Sequence, residues 1–164
     1  MDIAARFAEE VSAFDHWLLS GKDQGTIAAR TCLLHLLTLY RTSLELPPEA
    51  ADEFEQLHET DHVDKEKWRE AFKAAARLPF DHYGMIFDPL IVPPEEPCIG
   101  SLSDDLADIY RDLVSGLRAY ERGDRAEAIW QWRFGLQHHW GGHATCAIRA
   151  LHEWLTQDYS IAAL

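Results

Sequence analysis

The chain has 164 residues, with 15 basic against 28 acidic side chains, a formal charge of −13, and 47% hydrophobic residues. A surface of that sign repels phosphate backbones and anionic lipids, which argues against nucleic-acid and membrane partners; the apolar content argues against disorder. The length suits one domain with its own core, and no apolar run approaches the roughly 18–20 residues of a membrane span.

The N-terminus, MDIAARFAEE, carries acids where a signal peptide would carry positive charge, so a cytoplasmic protein is expected. Cys32, Cys98 and Cys146 form no C-x-x-C pair and are odd in number, which fits reduced thiols better than a disulfide frame or a zinc knuckle.

Ile3, Phe7, Val11, Phe14 and Leu18 recur at three- and four-residue steps and predict a first helix that stops at Gly21. A second helix is expected from about Thr26 to Glu45, with Leu33, Leu37, Tyr40 and Leu44 inward. Being apolar most of the way round, it is expected to be central. His35 lies off that stripe and reads as a hydrogen-bonded helix histidine. Leu46-Pro47-Pro48 ends the helix, because prolines remove backbone donors.

Glu49 to Leu57 predicts a short acidic surface helix. In His58-Glu-Thr-Asp61-His62 two imidazoles and a carboxylate could share a face, although solvated charge at a helix end is the better account of them. Asp64 is placed to cap a third helix whose inward face is Trp68, Phe72, Ala75 and Ala76, closed by Pro79. Phe80 to Gly100 has four prolines and no helical period. It predicts an irregular strap pinned over the bundle by Tyr83, Ile86, Phe87, Leu90 and Ile91.

Ser103 is the expected N-cap of the next helix, with Leu106, Ile109, Tyr110, Leu113, Leu117 and Tyr120 inward. At about 100° per residue, Asp105, Asp108 and Asp112 fall along one flank of that stripe. Asp108 and Asp112 lie beyond the reach of the helix dipole, and an acidic row repels itself unless something answers it. Gly123, then Asp124 with Glu127, predict a stop and a capping box that start an antiparallel neighbour. That helix places Arg133 among Ala126, Ile129 and Trp140, so Arg133 is expected to be buried and paired with Asp105, Asp108 or Asp112. His139 and His143 are four apart, the spacing of a metal-binding pair on one helix face. The Gly141-Gly142 pair predicts a break between them and weakens that reading.

The fold class expected is all-α: a single-domain bundle of about six helices over residues 1–164. N-terminal helices span about 2–77, the proline-rich strap about 78–102 and C-terminal helices about 103–158.

The chain also resembles a bacterial family known only as a domain of unknown function. Its members share an LP after the second helix, an FDP in the strap, a DDLADIY helix and a late HWG-x-H; here these are Leu46-Pro47, Phe87-Asp88-Pro89, Asp104 to Tyr110 and His139 to His143. The resemblance implies an all-helical fold and brings no activity, cofactor or catalytic residue.

Two functions remain open. The first is an interaction or regulatory module in which an Asp–Arg–His cluster clamps the helices; its partner is a protein or a small molecule, and no cofactor is expected. The second is a metal-dependent enzyme or ligand binder. Asp105, Asp108, His139 and His143 would be ligands, Arg133 would hold an anion, Tyr110 would donate a proton, and Asp112 and Trp140 would line the site. No H-E-x-x-H, di-iron Glu-x-x-His pair, phosphate loop or G-x-S-x-G is present to choose between them.

Overall fold

In a computed structural model of the chain, residues 2–48 and 61–157 are described. The short helix expected at Glu49–Leu57, and His58 of the HETDH segment, lie outside them. The architecture is all-α with one small antiparallel hairpin. The elements in order are α1 (Ile3–Ser20), α2 (Gly25–Ser43), α3 (Lys65–Ala75), β1 (His82–Met85), β2 (Cys98–Ser101), α4 (Leu102–Glu121), α5 (Arg125–His138) and α6 (Trp140–Gln157). No helix among the described residues is long and apolar enough to cross a membrane.

α1 buries Phe7, Val11, Phe14 and Leu18 as its period demands, and Gly21 closes it in the left-handed region at φ 62°. Asp64 caps α3 as expected, accepting from the backbone N–H groups of Glu66 and Lys67 at 2.9 and 2.8 Å.

α2 differs from expectation. Its inward face is Ala28, Ala29, Cys32, Leu36 and Leu39, while Leu34, Leu37 and Leu44 are exposed. A helix with leucine on every side carries no clear phase, and the small side chains are the ones that let neighbouring helices approach closely. The central helix is α4, which touches α1, α3, α5, α6 and β2.

The strap contains a hairpin rather than irregular chain throughout. His82 pairs with Ser101, Tyr83 with Gly100, Gly84 with Ile99 and Met85 with Cys98. Tyr83 is half-buried and Phe80 stacks on Trp154, so those two pin the segment. Phe87 and Leu90, expected to do the same, are 81% and 89% exposed, and Ile86 and Ile91 are exposed as well. The α4 cap is Ser101, not Ser103: the Ser101 hydroxyl accepts from the Asp104 N–H, and Ser103 is buried one position inside the helix.

Gly123 (φ 99°) and the Asp124 cap, which accepts from the Glu127 N–H at 3.2 Å, turn the chain into α5 as read. The side chain that enters the core there is Trp132, fully buried and donating to the Leu113 carbonyl at 3.0 Å. The guanidinium answered by buried acids is Arg122 at the end of α4. It reaches Asp61 at 2.5 Å and Glu127 at 2.7 Å, and so ties the 61–64 segment to the α4–α5 turn. Asp61 of the HETDH segment is therefore an ion-pair partner of Arg122.

Candidate functional site

Three turns of α4 put Asp105, Asp108 and Asp112 on the flank that meets the α5–α6 junction. α5 ends at His138, and the chain bends at His139 (φ −148°, ψ −86°) before α6 begins at Trp140. The break falls two residues before the first glycine, and both glycines lie inside the first turn of α6. Gly141 is what allows so tight a bend, because a Cβ there would lie 2.0 Å from the Leu136 carbonyl oxygen. The same bend swings His139 and His143 toward α4, with ring centroids 4.9 Å apart.

Gly141→Ala should therefore lose about 2 kcal/mol, within the range for overpacking, read as a lowered denaturation midpoint. Gly142→Ala, whose Cβ meets nothing within 4 Å, should be neutral or gain up to about 1 kcal/mol from helix propensity. Equal effects from the two variants would show that the bend does not depend on Gly141.

Each imidazole is held through one nitrogen by its own carboxylate. His139 Nδ1 lies 2.7 Å from Asp112 Oδ2, and His143 Nδ1 lies 2.8 Å from Asp105 Oδ1. A carboxylate only accepts, so Nδ1 carries the proton in both rings, and whenever a ring is neutral its Nε2 is the lone-pair nitrogen. His143 Nε2 faces Asp108 Oδ2 at 3.5 Å. The other Asp108 oxygen is taken by Trp68 Nε1 and Arg111 Nη2, both at 2.8 Å. Asp108, His139 and His143 each present a donor atom, and the three lie within 4.8 Å of one another.

Behind them Tyr83 donates its hydroxyl to Asp105 Oδ2 at 2.5 Å. Its ring lies across β2 at Gly100, where a Cβ would come within 2.5 Å of it. Burial and the Asp105 carboxylate push the Tyr83 phenol far above its ordinary range, so it stays a donor. Burial and the neighbouring Asp108 carboxylate also push Asp104 up, a sign of excess negative charge in this corner.

Of the residues singled out in the sequence, the structure brings together Asp105, Asp108, Asp112, His139 and His143. Three others lie elsewhere. Arg133 is half-buried and donates from Nη1 to the Leu46 carbonyl at 2.5 Å, so the expected pairing with the aspartate row does not form. Tyr110 is buried, its phenol pushed up to about 12 by burial and by Asp15 on α1. Trp140 is fully buried, donating to the Trp132 carbonyl at 2.9 Å, and cannot face a ligand. Sequence reasoning missed the site roles of Trp68, Arg111 and Tyr83. Arg111 had a signal, its i, i+3 spacing from Asp108; the other two come from distant segments.

A family model described as a domain of unknown function, DUF5063, matches residues 1–157. The chain belongs to the DUF5063 family. A crystal structure of protein BF1032 from Bacteroides fragilis is similar over 95% of this chain and 97% of that one. Its TM-score is 0.76 and its identity 19%, which shows a shared fold. No curated protein matches the chain.

Within this DUF5063 fold two histidines respond to pH in opposite directions. The Asp105 hydrogen bond outweighs burial and raises His143 above 6.5. A folded value above the unfolded one contributes stability that is full below pH 6.5 and is lost as pH rises through the raised value. Among the described residues His35 finds no hydrogen-bond partner, contrary to expectation; it packs on Phe14 and Trp17, and burial lowers it below 6.5. Its contribution is present above pH 6.5 and lost as pH falls through the lowered value. The stability gap between the metal-free protein and Asp105→Asn should therefore narrow from about pH 5 to 8. A gap independent of pH would contradict the Asp105–His143 coupling.

Proposed function

We propose that the chain is a divalent-metal-binding protein, and through that metal an enzyme, with Asp108, His139 and His143 as ligands. One observation carries the reading: both imidazoles are fixed through Nδ1 by carboxylates of their own, His143 Nε2 faces Asp108 at 3.5 Å, and one donor atom each of Asp108, His139 and His143 lies within 4.8 Å of the others. A carboxylate behind each histidine is how metal centres set the tautomer and raise ligand basicity, which gives Asp105 and Asp112 their place as orienting groups. Sequence reasoning expects no cofactor; the assembled geometry favours one. Two nitrogens and one oxygen suit Zn2+, Fe2+, Co2+ or Mn2+ better than Mg2+ or Ca2+. Three protein ligands leave coordination positions open, where such an ion lowers the pKa of water or polarises a substrate oxygen.

The chain's own residues supply the rest. The His139 side chain is 40% exposed and gives the centre access to solvent, whereas Asp105 is nearly buried and fixed by Tyr83 and His143. That saturation of Asp105 also favours the second reading, an internal clamp in an interaction module, with the exposed Phe87 and Leu90 as its contact surface.

Equilibrium dialysis against Zn2+, Mn2+, Co2+ and anaerobic Fe2+, with melting scans in metal and in chelator, separates the two. The metal reading expects one bound ion per chain and a midpoint that rises with metal. No stoichiometric ion and an unmoved midpoint would leave the clamp.

A further inference from the structure

Beside the Asp–His cluster a cavity of about 380 Å³ opens between the start of α3 and the middle of α4, lined by Val63, Asp64, Lys65, Trp68 and Arg111. Two of those five side chains, Trp68 and Arg111, are the ones that hold Asp108 Oδ1. Arg111 is part-exposed and also lies 3.8 Å from Asp112. Whatever occupies the cavity therefore touches the groups that aim a proposed metal ligand.

The lining has a definite chemistry. Trp68, stacked on Phe72, supplies an aromatic wall and Val63 an apolar one. Lys65 and Arg111 supply two cations. The single acid, Asp64, has its carboxylate committed to the α3 cap. The lining thus sets two cations against one acid, with Arg111 already paired to Asp108 and near Asp112, and a guanidinium is the side chain best shaped to take a carboxylate in two parallel hydrogen bonds.

We propose that the cavity is the substrate subsite of the metal centre, taking a small organic carboxylate whose anionic end is held by Arg111 and Lys65 and whose apolar body lies on Trp68. The assignment as a substrate subsite rests on the metal reading; the ligand class rests on the cavity itself. Arg111 is shared between Asp108 and the incoming carboxylate. As it turns to the ligand, Arg111 no longer offsets the Asp108 carboxylate facing the metal, so metal and carboxylate favour one another's binding, and the coupling is reciprocal.

Phenylacetate and its neutral amide, phenylacetamide, are suitable probes, titrated by calorimetry into the full chain with and without Zn2+. Phenylacetate is expected to bind saturably and the amide not. Lys65→Gln, a change at an exposed residue, and Arg111→Gln should each weaken phenylacetate by about tenfold, the loss of one charge-assisted hydrogen bond. Zn2+ should tighten it severalfold in the wild type and not in Arg111→Gln.

Equal binding of acid and amide, or unchanged affinity in both variants, would overturn the proposal. Zn2+ binding without phenylacetate binding would overturn it and leave the metal centre standing. Arg111-dependent phenylacetate binding in a chain that takes no Zn2+ would also overturn it as a substrate subsite, through failure of the metal reading alone.

Discussion

Replacing His143 with alanine is expected to lower the affinity for Zn2+ by more than about a hundredfold, beyond the loss usual when only an orienting partner of a metal ligand is removed. His143 is the hinge of the cluster: Nδ1 is anchored to Asp105, and Nε2 looks at Asp108 from 3.5 Å. Without it, His139 and Asp108 remain on separate elements with nothing to complete the set. Asp105→Asn should act through His143 more gently, by about 10- to 100-fold, because the imidazole stays but loses the charged carboxylate that fixes its tautomer. A chromophoric chelator in competition reads both numbers. If His143→Ala holds Zn2+ as the wild type does, the ion binds somewhere else.

Arg122→Met is expected to destabilise the fold by roughly 3 kcal/mol, the low end for breaking a buried pair. Asp61 and Glu127 are only 4% and 3% exposed, and both point their carboxylates at this guanidinium. Methionine keeps the bulk of the side chain and removes the charge, so the loss reports the carboxylates deprived of the guanidinium, Asp61 above all, and not a cavity. For a chain of this length the melting temperature should fall by about 6–12 °C. Adding Asp61→Leu should recover part of that, since the double variant leaves only Glu127 to be satisfied, and Gln131 already donates to it at 3.0 Å. A single variant that melts with the wild type would mean that water reaches both carboxylates and the pair contributes little.

The idea of a guanidinium answered by acids was legible in the sequence, but its address was not. Trp132 and Arg133 are neighbours about 100° apart on α5, so a phase error of one residue exchanges core for surface. Periodicity in so aromatic a helix does not resolve that. What fixes Arg133 is the Leu46 carbonyl, 87 residues away, and what fixes Arg122 is Asp61, 61 residues away; no local pattern encodes either contact. The aspartate row was legible because it is local: three acids on one helical flank need a partner, but the partner expected was Arg133, and the ones found are Arg111, His139 and His143.

The bend was read two residues late, at Gly141-Gly142 instead of His139. Glycine marks where a Cβ cannot fit, which is beside the turned residue and not always at it. The hairpin in the strap was hidden by its length: four-residue strands flanked by prolines carry too short an alternation to register. Hidden with it was the route by which Tyr83 reaches Asp105.

The most direct test of the account is an anomalous difference map from crystals of the Zn2+-loaded protein. The account predicts one strong peak about 2.0–2.2 Å from an Asp108 oxygen and from Nε2 of both His139 and His143, with Asp105 and Asp112 still on the Nδ1 atoms. A map with zinc bound at other residues and none among these three would contradict it.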